Sequence, residues 1–254
     1  MSGSGAAIEI RDLNKSFAPR RGVTVEAIRH INLTVPAGEF LAIVGPSGCG
    51  KSTLLHLVAG LEKPSSGTVR IGGAAPEELA RRHRLGVAFQ DPALLPWLSV
   101  QGNLGLPFKL AGLPVNRERV QGLIDLVGLA GFELARPSQL SGGMLQRAAI
   151  ARSLCLEPEI LLLDEPFGAL DAVTRRRLNI ELERIWRDRA ITTLLVTHSV
   201  EEALFLSDRT IVMGRPGAIA QTVKIPFPRP RTPELLRRED FHQLTDQITF
   251  WLEP

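Results

Sequence analysis

The sequence predicts an α/β protein with a mostly parallel sheet, an N-terminal antiparallel β subdomain and an inserted helical subdomain. First, short runs that are apolar throughout alternate with longer helix-like stretches, which is typical of a parallel sheet covered on both faces. Second, the N-terminal segments alternate apolar and polar residues, as a half-exposed antiparallel sheet does. Third, a long stretch with helical periodicity separates two of the apolar runs.

The elements follow one another along a single domain, 1–254. The alternating segments are 8–13 and 28–35, the candidate buried strands are 40–44, 160–163, 191–196 and 210–213, and the helices that follow two of them are 52–59 and 172–189. We expect the core to comprise about 8–90 and 158–225. The helical insertion would cover about 91–157, with turns at Pro92, Pro96, Pro107 and Pro137. A short C-terminal tail, about 226–254, begins in a proline-rich stretch that cannot form a helix interior and carries an amphipathic helix near 241–252.

Composition excludes several classes of protein. The chain has 254 residues, of which 44% are hydrophobic and 22% charged, so it is neither disordered nor fibrous. No apolar run approaches the roughly 18 residues that cross a bilayer, the N-terminus lacks a signal-peptide layout, and two cysteines do not make a disulfide framework. We therefore expect a soluble, intracellular, reduced protein. The net charge of +3 is spread along the chain, which favours a solvated surface over a nucleic-acid interface.

The strongest motif is a complete G-x-x-x-x-G-K-S between an apolar strand and a helix. Glycines in such a loop let backbone N–H groups turn towards phosphates, and the helix N-terminus adds partial positive charge. The lysine would reach the β- and γ-phosphates, and the serine hydroxyl would bind Mg²⁺. The dipole and the lysine would also favour the thiolate form of the cysteine. The candidate ATP-binding residues are Gly45, Pro46, Ser47, Gly48, Cys49, Gly50, Lys51, Ser52 and Thr53.

Two carboxylates end the apolar run 160–163. Taken alone, such a run is more often an ordinary strand end. Beside a phosphate loop, however, it delivers Asp164 and Glu165 to the edge of the sheet where that loop opens. Asp164 is suited to holding Mg²⁺, and Glu165 to orienting or deprotonating the attacking water.

A third motif, LSGGMLQR at 140–147, enters a helix. Ser141 is a candidate N-cap, and Gly142 and Gly143 leave the first N–H groups open to an anion. An ordinary capped helix would show the same pattern. In a chain with a phosphate loop, a second phosphate-binding element has an obvious ligand. With this segment the chain resembles the ATP-binding cassette (ABC) ATPases, because it matches their signature.

The resemblance extends from about residue 8 to residue 225, and it implies a P-loop NTPase core that binds ATP and Mg²⁺. In that family two subunits bind two ATP molecules head to tail, each between the phosphate loop of one chain and the signature of the other. It therefore implies a second ATPase subunit, as a homodimer or with a sister ATPase, and contacts in trans from Ser141, Gly142, Gly143 and Asp171.

Further residues match the family in order. Gln90 matches the glutamine loop that senses Mg²⁺ and the attacking water, 169–171 the loop that crosses the dimer interface, and His198 the switch histidine that contacts the γ-phosphate. Phe17 occupies the position of the aromatic residue that stacks on adenine. Alone, His198 would more often be structural, and Phe17 could be a core phenylalanine. The resemblance makes Glu165, His198, Gln90 and Lys51 the catalytic residues, with Ser52, Gln90 and Asp164 at the metal.

Local details resemble the nitrate/sulfonate/taurine branch of bacterial importer ATPases. They are Met144 in the signature, the apolar run 94–100, and Arg-Pro-Gly at 215–217; Ser199 replaces the aspartate common after the switch histidine. This resemblance implies a peripheral subunit on the cytoplasmic face of the bacterial inner membrane, with an extracytoplasmic solute-binding protein in the complex. Two transmembrane permease subunits would contact Leu94–Val100, a run that could instead belong to the core.

Two alternatives share these catalytic motifs. A non-transport ABC ATPase, such as an iron–sulfur assembly factor, has no need of an apolar run beside the glutamine loop. DNA-repair ATPases of the superfamily interrupt the domain with a long coiled coil, for which this chain has no room.

Overall fold

The computed structural model describes residues 5–18, 24–168, 170–189 and 191–252, apart from the side chains of residues 188 and 189. Ala169, in the predicted interface loop, lies outside these residues. The strands are β1 (Ile8–Phe17), β2 (Val25–Val35), β3 (Phe40–Val44), β4 (Ser66–Ile71), β5 (Leu85–Ala88), β6 (Ile160–Asp164), β7 (Thr192–Val196), β8 (Arg209–Gly214) and β9 (Ala218–Lys224). The helices are α1 (Lys51–Val58), α2 (Pro76–Arg81), α3 (Val100–Leu110), α4 (Arg117–Leu126), α5 (Gly142–Ser153), α6 (Ala172–Arg189), α7 (Val200–Leu206) and α8 (Glu239–Leu252).

The larger sheet has six strands in the order β5-β6-β7-β3-β8-β9. Its strands pair in parallel except for the edge strand β9, which is antiparallel to β8. Every residue of β3, β6 and β7 is buried, which confirms that their continuous apolar runs belong to a doubly covered parallel sheet. Because these strands are parallel, the chain leaves all three at the same edge of the sheet.

The smaller sheet is antiparallel, in the order β2-β1-β4. Ile8 of β1 lies opposite Val35 of β2 and Ile71 of β4, and these inward side chains alternate with more exposed neighbours. The buried face packs with Ile43 and Leu54 in one apolar cluster. The predicted antiparallel subdomain is thus joined to the larger sheet through α1.

Three helices, α3 to α5, lie between β5 and β6, where the sequence predicts a helical insertion. Leu104, Phe108 and Leu123 share an apolar cluster with Phe40 of the larger sheet. The prediction of a turn at Pro107 is wrong, because this proline lies inside α3. It occurs in the last turn of the helix, where its missing N–H costs a single helical hydrogen bond and the buried side chains around it hold the helix in place.

The C-terminal segment packs against the core. Phe227, Phe241 and Ile248 are buried in the same cluster as the helices of the insertion. Arg231 is also buried and donates hydrogen bonds from Nη1 to the carbonyl oxygens of three residues at the end of α7, which are Leu204 (2.9 Å), Phe205 (3.1 Å) and Ser207 (2.6 Å). Within the described part of the chain, no helix combines the length and apolar character needed to cross a membrane.

Candidate functional site

The candidate phosphate loop connects β3 to α1, as predicted. Gly48 and Gly50 have φ of 75° and 102°, which side chains other than glycine rarely adopt. A Cβ at Gly50 would also lie 2.3 Å from the carbonyl oxygen of Ala27 in β2. The loop therefore requires glycine at this position for both its backbone angle and its packing.

The side chain of Lys51 folds back into this loop. Its Nζ donates hydrogen bonds to the carbonyl oxygens of Gly45 (2.8 Å) and Pro46 (3.1 Å), and only 6% of the residue is exposed. The ammonium group is thus held where the loop opens, next to the N-terminus of α1. Both are positive, so the site favours an anion.

The neighbouring thiol differs from the prediction. Cys49 is buried, and burial raises the pKa of its thiol against the opposing effects of Lys51 and Arg215. The expectation of a stabilised thiolate is therefore wrong. Desolvation penalises the thiolate more than the nearby positive charges favour it.

Ser52 and Asp164 face each other across the start of α1 and the end of β6. Ser52 Oγ donates a hydrogen bond of 3.0 Å to Asp164 Oδ1. Burial raises the pKa of the Asp164 carboxyl, and the Ser52 hydrogen bond opposes that rise. A hydroxyl and a buried carboxylate beside the loop fit Mg²⁺, which takes few protein oxygens together with substrate phosphates. The described residues contain no cluster of three or more histidine, cysteine, aspartate or glutamate side chains that could hold a metal.

Glu165 and His198 meet at the same edge of the sheet. Glu165 has a φ of 44°, and its N–H donates a 2.8 Å hydrogen bond to the carbonyl oxygen of Val196, the last residue of β7. His198 Nδ1 lies 3.2 Å from Glu165 Oε2. Positive φ in a residue other than glycine is strained and is frequent at functional sites. Here it accompanies a carboxylate–imidazole pair beside Asp164.

The residue after the histidine, Ser199, caps α7. Its Oγ accepts a 3.3 Å hydrogen bond from the N–H of Glu202. Serine and aspartate are both favoured at this position of a helix. The serine therefore fulfils the capping role available to the aspartate that is common here in the family, so the substitution preserves the start of α7.

Glu202 is a buried acid behind this site. Burial raises its pKa to about 7, although Thr197 and Arg175 favour the charged form. Among the described residues, no donor reaches Glu202 Oε1 or Asn179 Oδ1, and both side chains line one cavity of about 60 Å³ between α6 and α7. A protonated Glu202 carries the donor that this pair of acceptors lacks.

The signature segment begins α5, in the helical insertion. Ser141 Oγ accepts a 3.3 Å hydrogen bond from the N–H of Met144, so Ser141 is the N-cap, as predicted. Its neighbour Gly143 packs so closely that a Cβ would lie 3.0 Å from Cγ2 of Thr174. Asp171 caps α6 by accepting 3.0 Å hydrogen bonds from the N–H groups of Val173 and Thr174. The signature therefore contacts α6, the helix that follows the predicted interface loop.

A model of the ABC transporter family matches residues 28–168, which include the phosphate loop, both carboxylates and the signature. The chain belongs to this family. The nitrate import ATP-binding protein of Synechococcus elongatus is 46% identical over 228 residues, covering 87% of this chain and 82% of that protein. The aliphatic sulfonates import ATP-binding protein of Bacillus licheniformis is 44% identical over 229 residues, covering 89% and 88%.

Solved ABC cassettes share the fold. A dimeric structure of a post-hydrolysis state of an ATP-binding cassette, bound to ADP and Pi, superposes with a TM-score of 0.77 at 30% identity, covering 87% of this chain and 99% of the other. The fold, the family and the enzyme class, an ABC ATPase, agree with the resemblance found in the sequence.

One contact that the sequence analysis missed joins two ABC motifs. Gln146, in the signature helix, is buried, and its Nε2 donates a 3.2 Å hydrogen bond to the carbonyl oxygen of Phe89. Phe89 directly precedes Gln90, which is exposed after the end of β5. This contact depends on the burial of a long polar side chain on α5, and the sequence does not show that this side chain is buried.

The predicted adenine-stacking residue lies at the end of β1. Phe17 is 39% exposed, and Nζ of Lys15 lies 4.7 Å from the centroid of its ring. Phe17 is therefore not a core residue, and its role in adenine stacking stays a prediction. One edge of the larger sheet thus brings together the phosphate loop, Asp164, Glu165 and His198. The signature lies apart from them in sequence and in structural element, at the start of α5 in the helical insertion.

Proposed function

We propose that this protein is the ATP-hydrolysing subunit of a bacterial ABC importer. The observation that carries the proposal is the 3.2 Å contact between His198 Nδ1 and Glu165 Oε2, beside the hydrogen-bonded pair of Ser52 and Asp164. A phosphate loop, a metal-binding pair and a carboxylate that can activate water therefore occupy one edge of the sheet. Those are the parts that hydrolysis of a nucleoside triphosphate requires.

The residues of the core bind the nucleotide. Lys51 and the amides of the phosphate loop hold the β- and γ-phosphates, and Phe17 stacks on adenine. Ser52, Asp164 and Gln90 would hold Mg²⁺, which would neutralise charge on the phosphate oxygens. Lys51 must exchange its two carbonyl acceptors in the loop for phosphate oxygens, which are stronger charge-assisted partners.

Glu165 and His198 act on the attacking water. The Glu165 carboxylate accepts a hydrogen bond from the water and orients it towards the γ-phosphate. His198 contacts both that carboxylate and the γ-phosphate, so it senses whether the triphosphate is intact. The strained φ of Glu165 holds its side chain at the sheet edge.

The second half of each site comes from another chain. Ser141, Gly142 and Asp171 are exposed, which supports their contact with a partner subunit, and Gly143 adds an open N–H at the start of α5. Two copies arranged head to tail would place each signature opposite the phosphate loop of the partner. The dimeric state of the related cassette supports this arrangement.

The apolar run Leu94–Val100 supports a permease contact. Trp97 is 67% exposed, so this residue lies outside the core, whereas Val100, at the end of the run, is buried in the core and Leu94 packs against it. Arg152 holds the two residues that precede the run through hydrogen bonds to the carbonyl oxygens of Pro92 and Ala93, both 2.8 Å. A neighbouring cleft of about 420 Å³ is lined largely by apolar side chains, including Leu106 and Leu110. A rigid platform with an exposed tryptophan suits a short helix of a membrane subunit.

The transported solute, the partner proteins and the location of the ATPase are proposed from the names of the relatives and from the permease contact. Their names specify nitrate and aliphatic sulfonates, so we propose a small oxyanion or a related molecule as the transported solute. An extracytoplasmic protein would deliver it to two permease subunits, and the ATPase would lie on the cytoplasmic face of the inner membrane.

Mixing two inactive variants tests the shared site. Ser141→Arg blocks the signature, and Lys51→Ala removes the phosphate-binding ammonium, so we expect each variant alone to lose turnover. A mixed dimer contains one site damaged on both sides and one intact site, and activity should return on mixing. Ser141→Ala, which retains space for the nucleotide, is the control. Constant specific activity of the wild type down to concentrations at which it is monomeric would refute the two-chain site.

A further inference from the structure

The turn between β8 and β9 reaches the phosphate loop. It contains Arg215, the first residue of the Arg-Pro-Gly that resembles the importer branch. Its guanidinium Nη2 donates a 2.7 Å hydrogen bond to the carbonyl oxygen of Ser47, in the middle of the loop. A Cβ at Gly48 would lie 3.9 Å from the same nitrogen. An exposed arginine outside the known motifs therefore contacts the backbone of the loop directly.

The turn has a rigid base. A Cβ at Gly217 would lie 1.9 Å from the carbonyl oxygen of Ala27, and one at Gly45 would lie 2.6 Å from the carbonyl oxygen of Met213. The Gly217 carbonyl oxygen also accepts a 3.1 Å hydrogen bond from the N–H of Arg29 in β2. The turn and the start of the loop are thus packed backbone to backbone, so the arginine extends from a fixed position.

The hydrogen bond bears on phosphate binding through the orientation of one peptide. The peptide that joins Ser47 to Gly48 can turn its N–H towards a phosphate only if its carbonyl faces away, and a charged donor on that carbonyl favours this orientation. Arg215 supplies that donor for Ser47. Its positive charge also reaches the site, because Arg215 and Lys51 both act to lower the pKa of Cys49 against the effect of burial.

We propose that Arg215 is a positioning residue that sets the affinity for the triphosphate of ATP by holding the Ser47 carbonyl outward. The proposal rests on the proposed role of residues 45–52 as the phosphate-binding loop. Arg215, from the β8–β9 turn, thereby contributes to that loop. Its effect is on nucleotide binding rather than on the chemical step. The guanidinium does not touch the water-activating pair, so turnover at saturating ATP should change little.

Binding of a fluorescent ATP analogue to Arg215→Ala and Arg215→Lys tests the proposal. A charge-assisted hydrogen bond to a backbone carbonyl is lost in the alanine variant, so we expect its Kd to rise about 5- to 20-fold. The kcat should stay within about twofold. The lysine variant keeps the charge and one donor, so its Kd should lie between those of the alanine variant and the wild type. Arg82→Ala removes another exposed arginine, which is paired with Glu78 and lies outside the loop, and this variant should bind ATP as the wild type does.

A measurement without nucleotide separates this inference from the proposed function. The pH dependence of Cys49 modification by a small methanethiosulfonate should move to higher pH in Arg215→Ala and stay unchanged in Arg82→Ala. Cys155 does not interfere, because burial raises the pKa of its thiol to about 12. A Kd within twofold of wild type in Arg215→Ala, or an equal rise in Arg82→Ala, would overturn the inference. If the wild type binds no ATP, the proposed function fails. In that case the Cys49 measurement still tests the inference, because an unchanged pH dependence of Cys49 modification in Arg215→Ala would refute the contact between Arg215 and the loop.

Discussion

Replacing Glu202 with glutamine should change how the stability of the protein depends on pH. Burial raises the pKa of Glu202 from its ordinary value of 4.5 to about 7 in the folded protein. Between those two pH values the folded chain keeps a proton that the unfolded chain has released. Raising the pH therefore favours the unfolded state, and the wild type loses stability over this interval.

The magnitude follows from the pKa values. One pKa unit corresponds to about 1.4 kcal/mol, so the buried carboxyl lowers the free energy of unfolding by roughly 3 kcal/mol between pH 4.5 and 7. Glutamine has nearly the same shape, stays neutral, and carries a donor for the acceptor oxygen of Asn179 in the shared cavity. Relative to the wild type, the Glu202→Gln variant should therefore gain stability as the pH rises.

Urea unfolding of both proteins at pH 5, 6, 7 and 8 measures this difference. We expect the free energy of unfolding of the variant minus that of the wild type to grow with pH and to level off above 7. Glu201→Gln removes the same charge from an exposed neighbour and should give a difference that does not vary with pH. A constant difference for Glu202→Gln would show that this carboxyl is ionised in the folded protein.

Three further outcomes are expected. The Glu165→Gln variant should bind ATP normally and hydrolyse it about 10²–10⁴-fold more slowly, because it lacks the carboxylate base. It should accumulate as an ATP-bound dimer in size-exclusion chromatography. Near-normal hydrolysis would remove Glu165 from the catalytic residues. The Trp97→Ala variant should keep its ATPase activity within a few-fold, and its free energy of unfolding within about 0.5 kcal/mol, of the wild type, yet fail to co-purify with the permease. Unfolding of this variant would instead support the interpretation that Trp97 belongs to the core. Cys49 should react with iodoacetamide more slowly at pH 8 than a free cysteine, because burial raises its pKa, and bound ATP should slow the reaction further; a fast reaction at pH 7 would contradict its burial.

The parallel core was predictable because its signals are local and strong. Continuous apolar runs identify β3, β6 and β7, and the glycines between β3 and α1 identify the phosphate loop. The proximity of Asp164 and Ser52 follows as well, because parallel strands end at one edge of the sheet. The roles of the individual site residues and the division into core, insertion and tail stay predictions.

What escaped prediction depends on burial and on long-range contacts. The charge of Lys51, which is visible in the sequence, favours a Cys49 thiolate, whereas the desolvation that outweighs it depends on burial in the folded protein. Pro107 opposes helix locally and so favours a turn, whereas the packing of its neighbours holds α3 together. The contacts of Gln146 and Arg215 join segments that are distant in the chain, and no periodicity indicates them.

The hydrogen bonds of Arg231 tie the C-terminal segment to α7, the helix that follows His198. Helix α7 begins two residues after His198, and its last carbonyl groups, which a helix leaves unpaired, are bonded to Arg231. In native-state hydrogen exchange, the amides of α7 and α8 should therefore open together as one cooperative unit. A protein or ligand that binds α8 would therefore act on the helix that follows His198 without touching any nucleotide-binding motif.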